Sequence, residues 1–344
     1  MKISNTHKLV SFAGFCSLLL MFSCTGKSSG TATDAPSKTV CALQENIAPV
    51  GRPMSFAMND DGSFVLTDLK SVYLYSAGGE QLKQIGRSGR ARYEYLTPLS
   101  VKIQNDTVYV WSAGSLEFIT YTTDGEPLAE YPYRSAIKDF LPVGDLIFIY
   151  TAGNAGENIV DIYDMKKGEV VQSLGKSTPE HRVLLHAAYP SPICEKDGLV
   201  YFAAKDGLDI YCYDPATGES SQMAGPDSDS FLIEKLQENS SLEKNSAERG
   251  DYLWSNSQTL YLFTEDGELM LLTIGGKLKR NGEDIDYSDR LYSLYNLSKG
   301  ELAATYTNAS IGASPLFSSN SDGLYFLKLS DDETQPHTLQ KLIL

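Results

Sequence analysis

The chain reads as an all-β protein, a six-bladed β-propeller behind a cleaved leader and a short flexible tether. Three observations predict this. Short apolar strands of period two recur at Phe64 to Leu66, Val108 to Trp111, Ile147 to Tyr150, Val200 to Phe202, Leu260 to Phe263 and Leu324 to Leu327. A Gly-Glu turn recurs beside them, at Gly79-Glu80, Gly125-Glu126, Gly168-Glu169, Gly218-Glu219, Gly267-Glu268 and Gly300-Glu301. The two ends of the body, Thr39 to Ile47 and Thr338 to Leu344, can pair and so close a ring that would otherwise expose a sheet edge.

The first 23 residues read as a leader. Lys2 and Lys8 precede a largely apolar run, Leu9 to Phe22, too short to span a bilayer as a helix. Leu18 to Cys24 (LLLMFSC) resembles a bacterial lipobox of the relaxed kind found among Bacteroidetes lipoproteins, with Phe22 where a small residue is usual. The resemblance implies cleavage before Cys24, lipid on its sulfur and an outer-membrane anchor. An ordinary secretory leader is the alternative. Residues 24–39 are a Gly/Ser/Thr/Pro tether. No acidic run follows Cys24, which favours the periplasmic face over the cell surface.

The body spans residues 40–344. Its repeat is clearest at Gly198 to Glu219, where Leu199 to Ala203 alternates as a strand. Asp206-Gly207 offers a tight hairpin, Leu208 to Tyr213 a second strand, and Asp214 to Gly218 the next turn. Six blades give about 51 residues each and seven give about 44, both within the range of propeller repeats. Tyr252 to Thr307 fits one long blade with an extra hairpin, or two short blades; six blades with the extra hairpin in the fifth is preferred. Thr178 to Ala188 reads as a short helix capped by Thr178 with Pro179 in the first turn. Asp227 to Gly250 reads as a helical or loose insertion over one face of the ring.

The net charge of −15 over 344 residues disfavours nucleic acid as a partner. The body carries three cysteines, Cys41, Cys194 and Cys212, an odd number. Buried thiols are the preferred reading, and a Cys194–Cys212 bridge between adjacent strands is the alternative.

Gly86 to Pro98 (GRSGRARYEYLTP) resembles the linker of the TolB-like, six-bladed propeller lipoproteins of Bacteroidetes, on Gly86, Gly89, Glu94, Tyr95 and Pro98. Arg92 and Tyr93 depart from that pattern. The resemblance implies a propeller behind a lipid anchor and no single activity. In the stretch itself, Arg87, Arg90 and Arg92 could clamp an anion or pair with local acids such as Glu94.

No catalytic or metal constellation stands out. His181 and His186 do not share a helix face, no GxSxG occurs, and the Asp-Gly pairs read as turns. No catalytic residue, metal or cofactor is expected. The candidate ligand-binding residues are Arg87, Arg90, Arg92, Tyr93, Glu94, Tyr95, Tyr131, Tyr133, Tyr189 and Trp254, since aromatics in turns suit stacking against sugar rings. The expected function is a monomeric, membrane-anchored binding or protein-interaction scaffold whose partner is an envelope protein or a glycan. A carbohydrate-binding accessory of a glycan-uptake system and a propeller lyase or hydrolase are the alternatives.

Overall fold

A computed structural model describes residues 34, 36–154, 157–187, 190–275, 279–281, 284–286, 290–307, 311, 316–330 and 335–344. Its described residues form six four-stranded antiparallel sheets. The first blade is β2 (Ser55–Met58), β3 (Phe64–Thr67), β4 (Val72–Tyr75) and β5 (Gln81–Gln84). The second is β6 (Pro98–Gln104), β7 (Thr107–Ser112), β8 (Glu117–Thr122) and β9 (Pro127–Pro132). The third is β10 (Ile137–Val143), β11 (Leu146–Thr151), β12 (Asn158–Asp164) and β13 (Glu169–Lys176). The fourth is β14 (Ile193–Lys196), β15 (Leu199–Ala203), β16 (Ile210–Tyr213) and β17 (Ser220–Met223).

The fifth blade is β18 (Gln258–Glu265), β19 (Glu268–Gly275), β22 (Leu291–Asn296) and β23 (Glu301–Thr307), with the hairpin β20 (Lys279–Asn281) and β21 (Asp284–Asp286) inserted between its middle strands. The sixth takes β24 (Leu316–Asn320), β25 (Gly323–Lys328) and β26 (Thr338–Leu342) from the C-terminus and β1 (Ser37–Ala42) from the N-terminus. Ser37 lies opposite Leu342 and Ala42 opposite Thr338. The expected closure and the six blades are both found.

The period of two explains why a ring is needed. The second strands bury residues on both sheet faces, and a single small sheet cannot cover either. Every junction between blades therefore holds its own core. Phe64 and Tyr75 of the first blade meet Tyr325 and Leu339 of the sixth. Val65 and Leu74 meet Val101 and Tyr121 of the second. Trp111 and Phe118 meet Phe140 and Ile147. Phe148 and Ile162 meet Val200 and Phe202. Ala203 and Ile210 meet Leu262 and Leu271. Leu272 and Tyr292 meet Phe317 and Phe326, completing the circle.

Five of the six Gly-Glu turns lead into an outer strand, and their glycines (79, 125, 168, 218 and 300) share φ between 68° and 87°, a region that glycine enters without steric cost. The sixth, Gly267-Glu268, joins β18 to β19 instead. Leu260 to Phe263 is likewise the innermost strand of its blade, whereas the other five apolar runs are second strands. The innermost strand here is buried over most of its length, so it carries the sequence of a second strand.

Two further expectations are corrected. Asp206-Gly207 is not a tight hairpin, because β16 begins only at Ile210 and Gly207 does not adopt positive φ. The longer loop is spread between its neighbours: the Lys205 amide donates to His181 Nδ1 at 3.0 Å, and the Lys205 carbonyl accepts from the Thr259 amide at 2.9 Å. Cys194 and Cys212 are not on adjacent strands. Both stand opposite Tyr201, one on each side of β15, roughly 9–10 Å apart at two strand spacings. That exceeds disulfide reach, and all three body cysteines are free thiols.

Helix α1 (Pro179–Leu184) starts as expected, with Thr178 Oγ1 accepting from the His181 amide at 3.0 Å. The insertion carries a 3-10 turn (Ser241–Glu243) and α2 (Ser246–Ser255). It clasps α1: Val183 and Leu184 pack on Tyr252, Ile233 and Leu236, and Arg182 pairs with Glu238 and Glu243, each at 2.9 Å. Among the described residues no helix is long and apolar enough to cross a membrane.

A partly buried carboxyl group stands where the fifth and sixth blades meet. Glu265 ends β18 close beneath Gly323, and its Oε2 is buried with no hydrogen-bond partner. Burial pushes its carboxyl up to about 7, Asp266 and Asp322 add to this, and Lys341 opposes it. The folded value lies above the unfolded one, so the contribution is fully present below about pH 4.5 and is lost as pH rises through about 7. Glu265→Gln should raise the urea midpoint at pH 8 and leave it nearly unchanged at pH 4; equal midpoints of variant and parent at pH 8 would remove this account.

Candidate functional site

The first strands of the blades surround a central channel and run from one mouth to the other. Ser55, Ser100 and Phe317, near the starts of their strands, line a cavity of about 470 Å³. Met58, Gln104 and Asn320, at the far ends, line a second of about 520 Å³. The crossovers from blade to blade arrive at the first mouth, so His186 and Pro190, which follow α1, also form its wall.

The two mouths differ in charge. The second is lined by Asp60, Asp106 and Glu195, with Lys102 as its one cation among the described residues. The first is lined by Arg52, Lys102 and Lys138 and, among the described residues, by a single carboxylate, Asp139. In a chain of net charge −15 this is a local reversal of sign. A cleft lined by one sign of charge between low-dielectric walls concentrates counter-ions.

Lys102 belongs to both cavities and bridges the channel. Its Nζ lies 3.0 Å from Asp139 Oδ1. That oxygen also accepts from Ser100 Oγ at 3.2 Å and from the Phe140 amide at 2.8 Å. Burial works against the Lys102 charge, but Asp139 and Tyr261 together outweigh it and the amine is held above its ordinary value.

Lys138 is placed by a β-bulge. Ile137 pairs with Thr151 and Asp139 with Tyr150, leaving Lys138 unpaired between them. Bulges redirect side chains, and here Lys138 and Asp139, consecutive in the strand, both reach the cavity. Lys138 Nζ donates to the Ala187 carbonyl at 2.7 Å. Burial pushes its amine down to about 8, partly offset by Asp139.

Behind this wall Lys205 is almost fully buried and donates to the Pro190 carbonyl. Burial and then Lys138 push its amine well below the ordinary value, with Asp139 opposing. His181 is fully buried, and burial, Lys205 and Arg182 push its imidazole down to about 3. It stays neutral at physiological pH, and its Nδ1 is held as an acceptor by the Lys205 amide.

The residues singled out from sequence lie elsewhere. Arg87 pairs with Glu94 at 2.7 Å, and Glu94 Oε2 accepts from the Ala91 amide at 2.8 Å. In this loop a Cβ at Gly89 would sit 1.9 Å from the Glu94 carboxylate, which would have to move. Arg92 lies 3.6 Å from Glu130 and over the ring of Tyr93. Arg90 is exposed. Tyr95 is fully buried between the first two blades, donating to the Ile85 carbonyl at 3.1 Å. Tyr131 packs on the core between the second and third blades, and Tyr133 is buried there with its hydroxyl donating to Asp161 at 2.8 Å. Trp254 stacks under Arg290. Tyr189 lies outside the described residues. None of the described ones lines either mouth. Among the described residues no group of three metal-ligating side chains occurs.

Sequence reasoning missed Arg52, Lys102, Lys138 and Asp139. The available signal was a charge inside the strand just before an apolar run, in SVKIQ and AIKDF.

No protein-family model matches the sequence, and no curated protein does. Its fold is shared with two Bacteroides proteins. One, from Bacteroides fragilis and described as exported, is 15% identical with a TM-score of 0.63, over 90% of this chain and 95% of that one. The other, a duf4221 family member from Bacteroides vulgatus, is 10% identical with a TM-score of 0.62, over 91% of this chain and 98% of that one. Identities this low show a common fold and carry no activity across.

Proposed function

We propose that the protein is an envelope-located binding module whose cation-rich mouth receives an anionic group, a carboxylate, sulfate or phosphate carried by a glycan or an envelope partner. The observation that carries this reading is the local charge reversal: Arg52, Lys102 and Lys138 face one cavity with Asp139 as the sole acid among its described lining residues. Arg52 forms no ion pair among the described residues, so its fork is available for bidentate contact. The resemblance of the linker to TolB-like propeller lipoproteins, the lipobox-like Cys24 and the exported Bacteroides fragilis neighbour support the location.

A sulfated or uronate-bearing oligosaccharide should bind, with affinity falling as salt rises, and its uncharged counterpart should not. Arg52→Ala should weaken binding by about tenfold or more, the scale of a charge-assisted hydrogen bond. Calorimetry showing equal binding of charged and neutral sugars, or indifference to Arg52→Ala, would discard the reading. For the location, Cys24→Ala should move the protein from the membrane pellet to the supernatant; continued sedimentation with membranes would remove the lipid anchor.

A further inference from the structure

We propose that Lys138 is a covalent attachment point, its amine condensing reversibly with the carbonyl of a 2-oxo acid held in the cation-rich mouth. This deepens the reading of that mouth and rests on it.

Three features of the geometry single out this amine. First, the bulge at Lys138 brings the side chain into a cavity of about 470 Å³, with room for a small carboxylate-bearing molecule. Second, the one nearby carboxylate is already committed, because Asp139 is held by Lys102 at 3.0 Å, while Lys138 Nζ has the neutral Ala187 carbonyl at 2.7 Å. Third, the other groups around it are mostly cations or neutral. Besides burial, Lys138 itself pushes down the amine of Lys205, in the β15–β16 loop, and the imidazole of His186 after α1, and Lys102 and Arg52 line the same cavity. Among the described residues Asp139 is the one charged group that favours a proton on Lys138. The downward push on its amine to about 8 agrees with this placement. A desolvated lysine beside another cation is the usual setting of an amine nucleophile.

The ligand class follows from the same residues. A carboxylate can pair with Arg52 or Lys102, and the adjoining carbonyl carbon then faces Lys138. The Lys138 nitrogen lone pair attacks that carbon to give a carbinolamine. Water then leaves, carrying the former carbonyl oxygen and both nitrogen protons, and a C=N bond remains. No atom changes oxidation state overall, and hydrolysis reverses the step.

The test uses the full-length protein with pyruvate and sodium cyanoborohydride, which reduces an imine to a stable secondary amine, followed by peptide mass mapping. Lys138 should be modified about tenfold or more faster than the exposed Lys70, given its larger neutral fraction near pH 7. Acetaldehyde, which has the carbonyl but no carboxylate to pair with Arg52 or Lys102, should show a smaller preference. Sulfate should suppress pyruvate labelling at Lys138 and spare Lys70, a measurement on the parent protein that needs no variant to fold. Lys138→Arg keeps the charge and should abolish the site-specific adduct. Labelling of Lys138 at or below the rate of Lys70, or labelling untouched by sulfate, overturns the proposal. If sulfate still stabilises the protein while Lys138 stays unlabelled, imine formation alone falls; if sulfate also has no effect, the anion-binding reading falls with it.

Discussion

Removing residues 1–42 is expected to abolish cooperative folding of the ring, or to lower its melting temperature by more than any point substitution, whereas removing residues 1–33 should not. The outer strand of the sixth blade comes from the far end of the chain, so its loss leaves β26 as an open edge. Five residue pairs join β1 to β26. At about 1 kcal/mol net per hydrogen bond, and with the buried side chain of Cys41 lost as well, about 5 kcal/mol or more goes with the strand. That is comparable to the whole stability of an ordinary domain.

The strand also leads the chain across the seam. Beyond it, the Gln44 amide donates to the Gly79 carbonyl at 2.8 Å, and Gln81 Oε1 accepts from Ile47 and Ala48. Gly79 has φ of 83°, and a Cβ there would sit 2.4 Å from the Ala42 carbonyl oxygen and 2.9 Å from Cys41 Sγ. Gly79→Ala should therefore weaken the same seam with the chain intact. Thermal unfolding and size-exclusion chromatography check both, the second because an exposed sheet edge invites pairing with another copy. A truncated chain that melts as a monomer at the parent temperature would show that the closure is dispensable.

The ring was legible in the sequence because its cause is local and repeated. Each second strand must be apolar on both faces, as in VYVW and IFIY, and in five blades the outer strand follows a left-handed turn, which fixes Gly at positions such as 125 and 168. The fifth blade was misread by one strand for the same reason: QTLYLFTE is as buried as a second strand, although it lines the channel. The channel itself was not legible. Lys102 and Lys138-Asp139 look in one dimension like solvent-facing positions of half-buried strands. Only the closing of the ring turns those positions inward and brings residues from separate blades within 3.0 Å. The linker showed the opposite failure. Its Gly, Arg and Tyr residues announced a special backbone path, correctly, but whether Tyr95 points to solvent or into the gap between blades depends on Ile85 and Val72, which its hydroxyl contacts.

Asp139→Ala should destabilise the protein by about 3–5 kcal/mol, the cost of stranding one member of a buried ion pair. Asp139 is 6% exposed, and its loss leaves Lys102 in the channel with Lys138 and Lys205 close by and no acid among them. The Ser100 hydroxyl loses its bond to the carboxylate as well. Asp139→Asn should cost less, because an amide oxygen can keep the Ser100 and Phe140 contacts while the charge is lost. The double variant Asp139→Ala with Lys102→Met should recover much of the loss, since exchanging both partners of a buried pair for apolar groups is often neutral. Sulfate ties this stability argument to the ligand argument. If the mouth is an anion site, Asp139→Asn makes it more cationic, so added sulfate should raise the melting temperature of that variant by more than it raises the parent's. Sodium chloride at matched ionic strength separates specific occupancy from screening. A variant as stable as the parent would mean that Asp139 is not what holds the lysines together. One destabilised but indifferent to sulfate would mean that the cluster serves the ring alone.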